Sequence, residues 1–495
     1  MKSMDIMKAL DFVNSKYINE AKTGEYNDVI SRERIHKNGR AVRKMILSPI
    51  AAILAVVILT CAVLVSGPFG VFTVSAKTLS TAQYPTMTRY PVSGEGTPEF
   101  KEQYSSWLAD VATQEAYMGE GERLDAFIMN STVAFLSGSN GENTVYSPLN
   151  IYMTLAMMAE ISDGDTRDQI LDALECNTIF YLRKQTHAIW NANYRNDGMV
   201  TSILSGSLWL RNDIDYNMTV INTLSDKYYA SVFEGEMGSY KYDNAYRSWL
   251  NEYAGGMMAD QMSTTPLHRD AVMSIASTIQ YEASWDYPFL NENNRTGIFK
   301  ADDRDIMCEY MSKIEVEGGY YWGDKFTATS KPLKDSGSIY FILPKDGHTI
   351  DELIADEETL RFIVSDGEWC NGEKAVINIT IPRFDVSSSI DLRYGFVDMG
   401  ITDCFDRTKA DFSSLTEDKK DADVLYVSDT EHSVRVSVDE EGCTGTSVSE
   451  YVIGTQPPFA TAQKSFTADR PFIFIITGAD KLPLFIGLIY QPLIQ

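Results

Sequence analysis

The stretch Val438–Pro471 constrains the fold most, because it meets the requirements of a strand and of a loop at once. Alternate positions hold Cys443, Gly445, Ser447, Ser449, Tyr451 and Ile453, a set that starts small and carries no charge. The interleaved positions hold Thr444, Thr446, Val448, Glu450 and Val452, with the one charge among them. A strand sends alternate side chains to opposite faces, so the first set suits a core and the second suits water. The same stretch contains glycines and runs into Pro457-Pro458, which suit an exposed loop.

Composition excludes some partners. The 495 residues are 44% apolar and 23% charged, as in ordinary globular proteins. A net charge of −26 argues against nucleic acid, whose phosphates need a basic surface. Six cysteines, Cys61, Cys176, Cys308, Cys370, Cys404 and Cys443, follow no C-x-x-C spacing. No metal or redox site is expected from them and no cofactor is implied; with Cys61 inside a long apolar run five remain, and an odd, scattered set does not suggest a disulfide framework.

The charge is divided along the chain. Residues 1–44 carry ten Lys/Arg against six Asp/Glu, and the remainder carries 33 against 63. Arg32, Arg34, Lys37, Arg40, Arg43 and Lys44 crowd against the run Met45–Ser66, which is 22 residues long and uncharged. That length spans a bilayer as a helix. The basic flank puts residues 1–44 in the cytoplasm and everything after about residue 67 outside. A cleavable signal ending at Val74-Ser75-Ala76 is an open alternative, giving a secreted form, although 44 residues before the apolar run is long for one. Lipid attachment at Cys61 is the weakest reading.

Residues 77–112 are rich in Ser, Thr, Pro and Gly, with little apolar periodicity, and read as a tether. The expected plan is a cytoplasmic segment at 1–44, a membrane helix at 45–66, a linker at 67–112 and one domain at 113–495. Within that domain, helical patterns come first, at Leu124–Phe135, Ser147–Glu160 and Asp165–Leu174. Ser202–Arg211 and Ser274–Trp285 read as strands, with a helix over Tyr216–Ala230 between them. Later strands are expected at Gly337–Pro344, Ala375–Pro382, Val424–Val427, Ser433–Val438, Phe472–Thr477 and Pro483–Tyr490. Without a strict βαβ alternation, this order argues α+β.

Several segments in this order resemble the serpins. They are Asn143-Thr-Val-Tyr-Ser-Pro-Leu-Asn-Ile151, Ile381-Pro-Arg-Phe384 with Asp391-Leu392, Met399-Gly-Ile-Thr-Asp-Cys-Phe405 with Ala410-Asp-Phe-Ser413, Val438-Asp-Glu-Glu-Gly442, Ala468-Asp-Arg-Pro-Phe-Ile-Phe474 and Pro483-Leu-Phe-Ile-Gly487. The likeness runs over about residues 113–492. It implies three β-sheets, about nine helices and an exposed reactive-centre loop within Val438–Pro471. It also implies the function. A serine protease cleaves the loop, an acyl-enzyme forms, and the loop enters the main sheet as a strand before the ester hydrolyses. The protein itself supplies no catalytic residue.

The resemblance assigns roles to residues. The hinge is Glu440, Glu441, Gly442, Cys443, Thr444, Gly445, Thr446, Ser447, Val448 and Ser449; Cys443 stands for the usual Thr or Ser, and Gly445 for the usual Ala. Glu440 pairs with Arg383 at the base of the loop. Ser147, Asn150, Ser277 and His432 match the network beneath the sheet where strands part, with Asn and Ser exchanged between two positions. Trp285 matches the tryptophan at the top of the sheet. The scissile bond is read as Phe459-Ala460, with Gln456-Pro457 as second choice and positions from Ile453 to Thr455, or Lys464, open. A bond after Phe459 suits a chymotrypsin- or elastase-like extracellular protease.

The expected protein is therefore a membrane-tethered, monomeric protease inhibitor. A serpin-fold binding or structural protein is the alternative. A Ser-His-Asp hydrolase has little support, because no G-x-S-x-G occurs and His432 would be its most plausible base.

Overall fold

The computed structural model describes residues 76–492, except residues 93, 120, 122–123, 256–266, 268, 270, 419–424, 428–429 and 444–462. All described residues belong to one unit, Ala62–Gln495. The expected cytoplasmic segment, the membrane span at 45–66, Cys61 and residues 67–75 of the linker lie outside the described residues. Among the described residues, no helix is long and apolar enough to cross a membrane.

The described residues form ten α-helices. They are α1 (Pro98–Glu115), α2 (Asp125–Leu136), α3 (Pro148–Ile161), α4 (Gly164–Ala173), α5 (Ile179–Asn193), α6 (Met218–Lys227), α7 (Tyr240–Tyr253), α8 (Ile350–Ile354), α9 (Glu357–Ile363) and α10 (Leu392–Asp398). Helix α3 shows how local sequence sets position. The Ser147 hydroxyl accepts from the Asn150 amide, Pro148 occupies the first turn, and every residue of the helix is buried. It packs between strands of the two sheets, against β6 (Met273–Ser284) and β17 (Pro483–Ile489).

Strands are numbered along the chain. The main sheet has eight, in the order β1 (Lys77–Ser80), β5 (Ala230–Gly235), β4 (Val200–Arg211), β6, β14 (Gly442–Cys443), β13 (Thr430–Val438) and β12 (Phe384–Asp391), with β3 (Arg195–Asn196) beside β4. The second sheet has nine, in the order β15 (Lys464–Thr467), β11 (Gly372–Pro382), β8 (Asp305–Trp322), β9 (Phe326–Pro332), β10 (Ser338–Pro344), β16 (Phe472–Thr477), β17 and β2 (Thr144–Tyr146), with β7 (Arg295–Lys300) beside β8. Strands β16 and β17 are buried throughout, which accounts for their unbroken apolar sequences.

Two expectations need correction. Two sheets are found among the described residues rather than three, because β8 is 18 residues long and continuous. It pairs with β7 at residues 305–310, with β11 over 310–321 and with β9 over 319–322, so the third sheet merges with the second. The tether is the second. Residues 77–115 are folded onto the domain: β1 pairs with β5, and Lys77 meets Glu234 at 2.5 Å. The Tyr84 ring stacks on Trp190 of α5, 5.6 Å between centroids. On α1, Trp107 is buried and donates to Asp197 at 2.8 Å, while Gln114 donates to the Ala192 and Tyr194 carbonyls. Much of α1's docking runs through polar contacts, and hydrophobic periodicity does not register those.

Smaller differences follow the same logic. The helix expected over 216–230 is Met218–Lys227, because Ala230 already belongs to β5. Leu425 and Val427 are buried but belong to no strand, and Val424 lies outside the described residues.

Candidate functional site: the entrance of the main sheet

Strand β13 pairs with β12 along all but its first residue, from Phe384↔Val438 to Asp391↔Glu431. With β6 it pairs only at Thr430–His432, opposite Ile275–Ser277. At the other end β14 lies between them, Cys443 opposite Ala283 on one side and Val438 on the other. Among the described residues no ladder joins Thr278–Glu282 to Ser433–Ser437. The main sheet is therefore closed at one end and parted along its middle, and Gly442–Cys443 occupy the mouth of the gap. Gly442 is required there, since a Cβ would sit 2.2 Å from the Ala283 carbonyl oxygen. Burial and the nearby Asp439 push the Cys443 thiol well up, so it stays protonated.

The turn 439–441 is gripped from several elements. Arg383 donates to the Glu440 carboxylate from Nε at 2.7 Å and Nη2 at 2.5 Å. Asn294 donates to the same carboxylate, and Glu309 meets Arg383 at 3.3 Å. Glu440 is only 6% exposed, so the guanidinium compensates a nearly buried charge. Trp285 donates from its backbone N to the Glu441 carbonyl at 2.9 Å and from Nε1 to the Asp439 carbonyl at 2.8 Å. The Phe289 amide donates to the Glu440 carbonyl at 3.0 Å.

Beneath the sheet, the Ser147 amide donates to His432 Nε2 at 3.0 Å. His432 has no exposure, and burial pushes its pKa down to about 3, so it is neutral. Ser277 lies beside it in the sheet, and Asn150 lies one helical turn from Ser147. The exchanged Asn/Ser network does not form through side chains. The Ser147 hydroxyl takes the Asn150 backbone amide, and Asn150 Nδ2 and His432 Nδ1 have no hydrogen-bond partner among the described residues. A histidine this enclosed, with no serine hydroxyl bonded to it, is not placed to act as a general base.

The structure thus brings together Arg383, Glu440, Glu441, Gly442, Cys443 and Trp285 at one end of the sheet, and Ser147, Asn150, Ser277 and His432 under its middle. Thr444, Gly445, Thr446, Ser447, Val448 and Ser449 lie outside the described residues, as do Phe459, Ala460, Gln456 and Pro457. Lys464 begins β15 and is committed to a parallel ladder with Ile377. Sequence reasoning missed Asn294, Phe289 and Lys331. The one signal for Lys331 is a cation in a short strand of otherwise uncharged residues. Among the described residues no cluster of three or more His, Cys, Asp or Glu is arranged to hold a metal.

A domain of two large β-sheets, the main one parted along its middle, defines the class. The serpin (serine protease inhibitor) family profile matches residues 123–492, and the chain belongs to that family. Plasminogen activator inhibitor 1 of Bos taurus is 24% identical over 383 residues, which is 72% of this chain and 88% of that protein. The native-state crystal structure of Tengpin, a thermophilic serpin, aligns with a TM-score of 0.64 at 24% identity, covering 75% of this chain and 96% of that one. Thyroxine-binding globulin in complex with thyroxine aligns with a TM-score of 0.63 at 18% identity, covering 74% and 99%. These two likenesses are likenesses of fold.

Proposed function

We propose that the chain is a suicide-substrate inhibitor of a serine protease, with residues after Gly442 as the inserting strand. The observation that carries this is the register at the sheet entrance. Were the ladder continued from Cys443 on strand entry, Gly445 would come between Tyr281 and Val436, Ser447 between Ile279 and Val434, and Ser449 between Ser277 and His432. All six of those neighbours are buried. The small set identified in the sequence would then lie on the core face. Thr444 and Thr446 fall beside Glu282, Ser437, Gln280 and Arg435, which are half-buried.

The chemistry belongs to the protease. Its serine Oγ attacks the carbonyl of the scissile residue, read as Phe459 with Gln456 as second choice. The C–O bond forms, the peptide C–N bond breaks, and the serine proton passes through the protease histidine to the departing amine, that of Ala460 in the favoured reading. Entry of the strand then competes with hydrolysis of the ester. Residue size on the core face sets the outcome, because an oversized side chain slows entry.

The test is incubation with chymotrypsin or elastase, followed by a denaturing gel and N-terminal sequencing of the released fragment. A covalent complex with cleavage after Phe459 or Gln456 is expected. Cleaved chain with free protease only would overturn the inhibitory reading. A serpin-fold binding protein is the second reading, supported by the likeness to thyroxine-binding globulin. In that case cleavage leaves thermal stability unchanged, whereas strand entry raises it. The uncharged run Met45–Ser66 behind a basic flank supports tethering outside the cell membrane, and alkaline carbonate extraction of membranes tests it.

A further inference from the structure

Lys331 lies on β9 beneath the sheet entrance and is 1% exposed. Its ammonium donates to the Tyr287 carbonyl at 2.6 Å and to the Glu315 carboxylate. It also sits 5.3 Å from the Trp285 ring centre and 5.0 Å from that of Phe289. Lys313 on β8 reaches the Tyr287 and Pro288 carbonyls at 2.9 and 3.2 Å. Two cations and one carboxylate thus converge on the turn Trp285–Phe289.

That turn is the element that grips the loop base. Its far side bonds Asp439, Glu440 and Glu441 through the Trp285 backbone and indole and the Phe289 amide. Burying an ammonium is costly unless its bonds are made. A methionine would fill similar space without the cost, so packing alone does not account for a lysine. The ammonium adds a bond to the turn's backbone and an attraction to both ring faces.

We infer that Lys331 is a positioning residue for strand entry: it holds Trp285–Phe289 against Asp439–Glu441 and so sets how readily the residues after Gly442 enter the main sheet. This rests on the reading of those residues as an inserting strand. Burial, the largest influence, pushes the Lys331 pKa down to about 8 against the attraction of Glu315. The hold is then strongest while the proton is on and weakens as pH rises through that value. The other charged groups acting on it are Glu315 and Lys313 from β8 and Asp286 from the turn; the Glu440–Arg383 pair lies across the turn, at the loop base.

The test uses the full chain and a fluorescent synthetic peptide copying residues 443–453, with incorporation followed on native gels at about pH 7 and about pH 9. Wild type takes up peptide slowly at the lower pH and faster at the higher. Lys331→Met takes it up about tenfold faster at the lower pH, with no rise on alkalinisation. Lys331→Arg stays slow at both pH values, because a guanidinium keeps its charge. Lys313→Met keeps the wild-type rise. An alkaline rise in Lys331→Arg equal to wild type overturns the inference, and does so even where Lys331→Met fails to fold. Uptake unaffected by pH or by either Lys331 variant sinks Lys331 alone. Absence of uptake by every chain sinks the inserting-strand reading and the inference with it.

Discussion

Trp285 and Asp439 are joined by a hydrogen bond from the indole Nε1 to the backbone carbonyl, 2.8 Å long. One residue ends the β6 side of the gap and the other follows the last residue of β13, so the bond spans the mouth of the gap. Opening the sheet therefore involves side chains outside both ladders, and the same holds for Arg383 and Glu440.

Replacing Arg383 by Met leaves the Glu440 carboxylate nearly buried, with only Asn294 donating to it among the described side chains. Arg383 is itself 32% exposed, so solvent moderates the loss. A cost of about 1–2 kcal/mol is expected, between the values for exposed and for buried pairs. Urea unfolding checks it, and an unchanged midpoint would mean that the pair contributes nothing.

The register separates two faces of the loop. Gly445→Leu puts a large side chain between Tyr281 and Val436, where overpacking costs about 1–3 kcal/mol and slows entry. The protein should become a substrate, with the moles of inhibitor consumed per protease rising about tenfold while cleavage speed is unchanged. Thr446→Gln, on the half-buried side beside Gln280 and Arg435, should leave that ratio near the wild-type value. Equal effects from the two changes would refute the register.

Much of this was legible because it depends on backbone periodicity and charge. The alternation that starts at Cys443 reads as a core face, and Cys443 itself is buried between β6 and β13. Arg383 and Glu440 meet, as the resemblance implies. Periodicity could not disclose α1, whose buried anchors include Gln114 and an indole bonded to Asp197. Nor could it disclose the merging of two sheets, because a long strand such as β8 shows no internal mark where its neighbours change. Lys331 was overlooked for a different reason: a single lysine among uncharged residues reads as solvent-facing, and only the tertiary fold sets it under Trp285.

Acid should destabilise the fold partly through His432. Burial lowers its folded pKa to about 3, while an unfolded histidine titrates near about 6.5. Between those values the unfolded chain binds the extra proton, so stability is full above the unfolded value and falls as pH drops toward about 3. His432→Gln keeps an acceptor for the Ser147 amide and removes the proton site. Its unfolding midpoint should therefore fall less between about pH 6.5 and about pH 4 than that of wild type. Parallel pH profiles for the two proteins would show that His432 does not contribute.

The last prediction concerns the N-terminal segment. The side chains of Arg195 and Asp197 meet at 2.7 Å and are 4% and 0% exposed. Trp107 covers the pair, and Arg195 also donates to Gln114 at 2.5 Å. Removing the indole uncovers an ion pair that was solvated by protein alone and opens a cavity beside Tyr90 and Tyr104. Trp107→Ala should cost about 3–5 kcal/mol, as for other buried aromatics. A chain beginning at residue 113 should melt well below one beginning at residue 76, because it loses β1, Tyr84 and nearly all of α1 together. Equal melting temperatures for the two truncations would return residues 77–112 to the role of a tether.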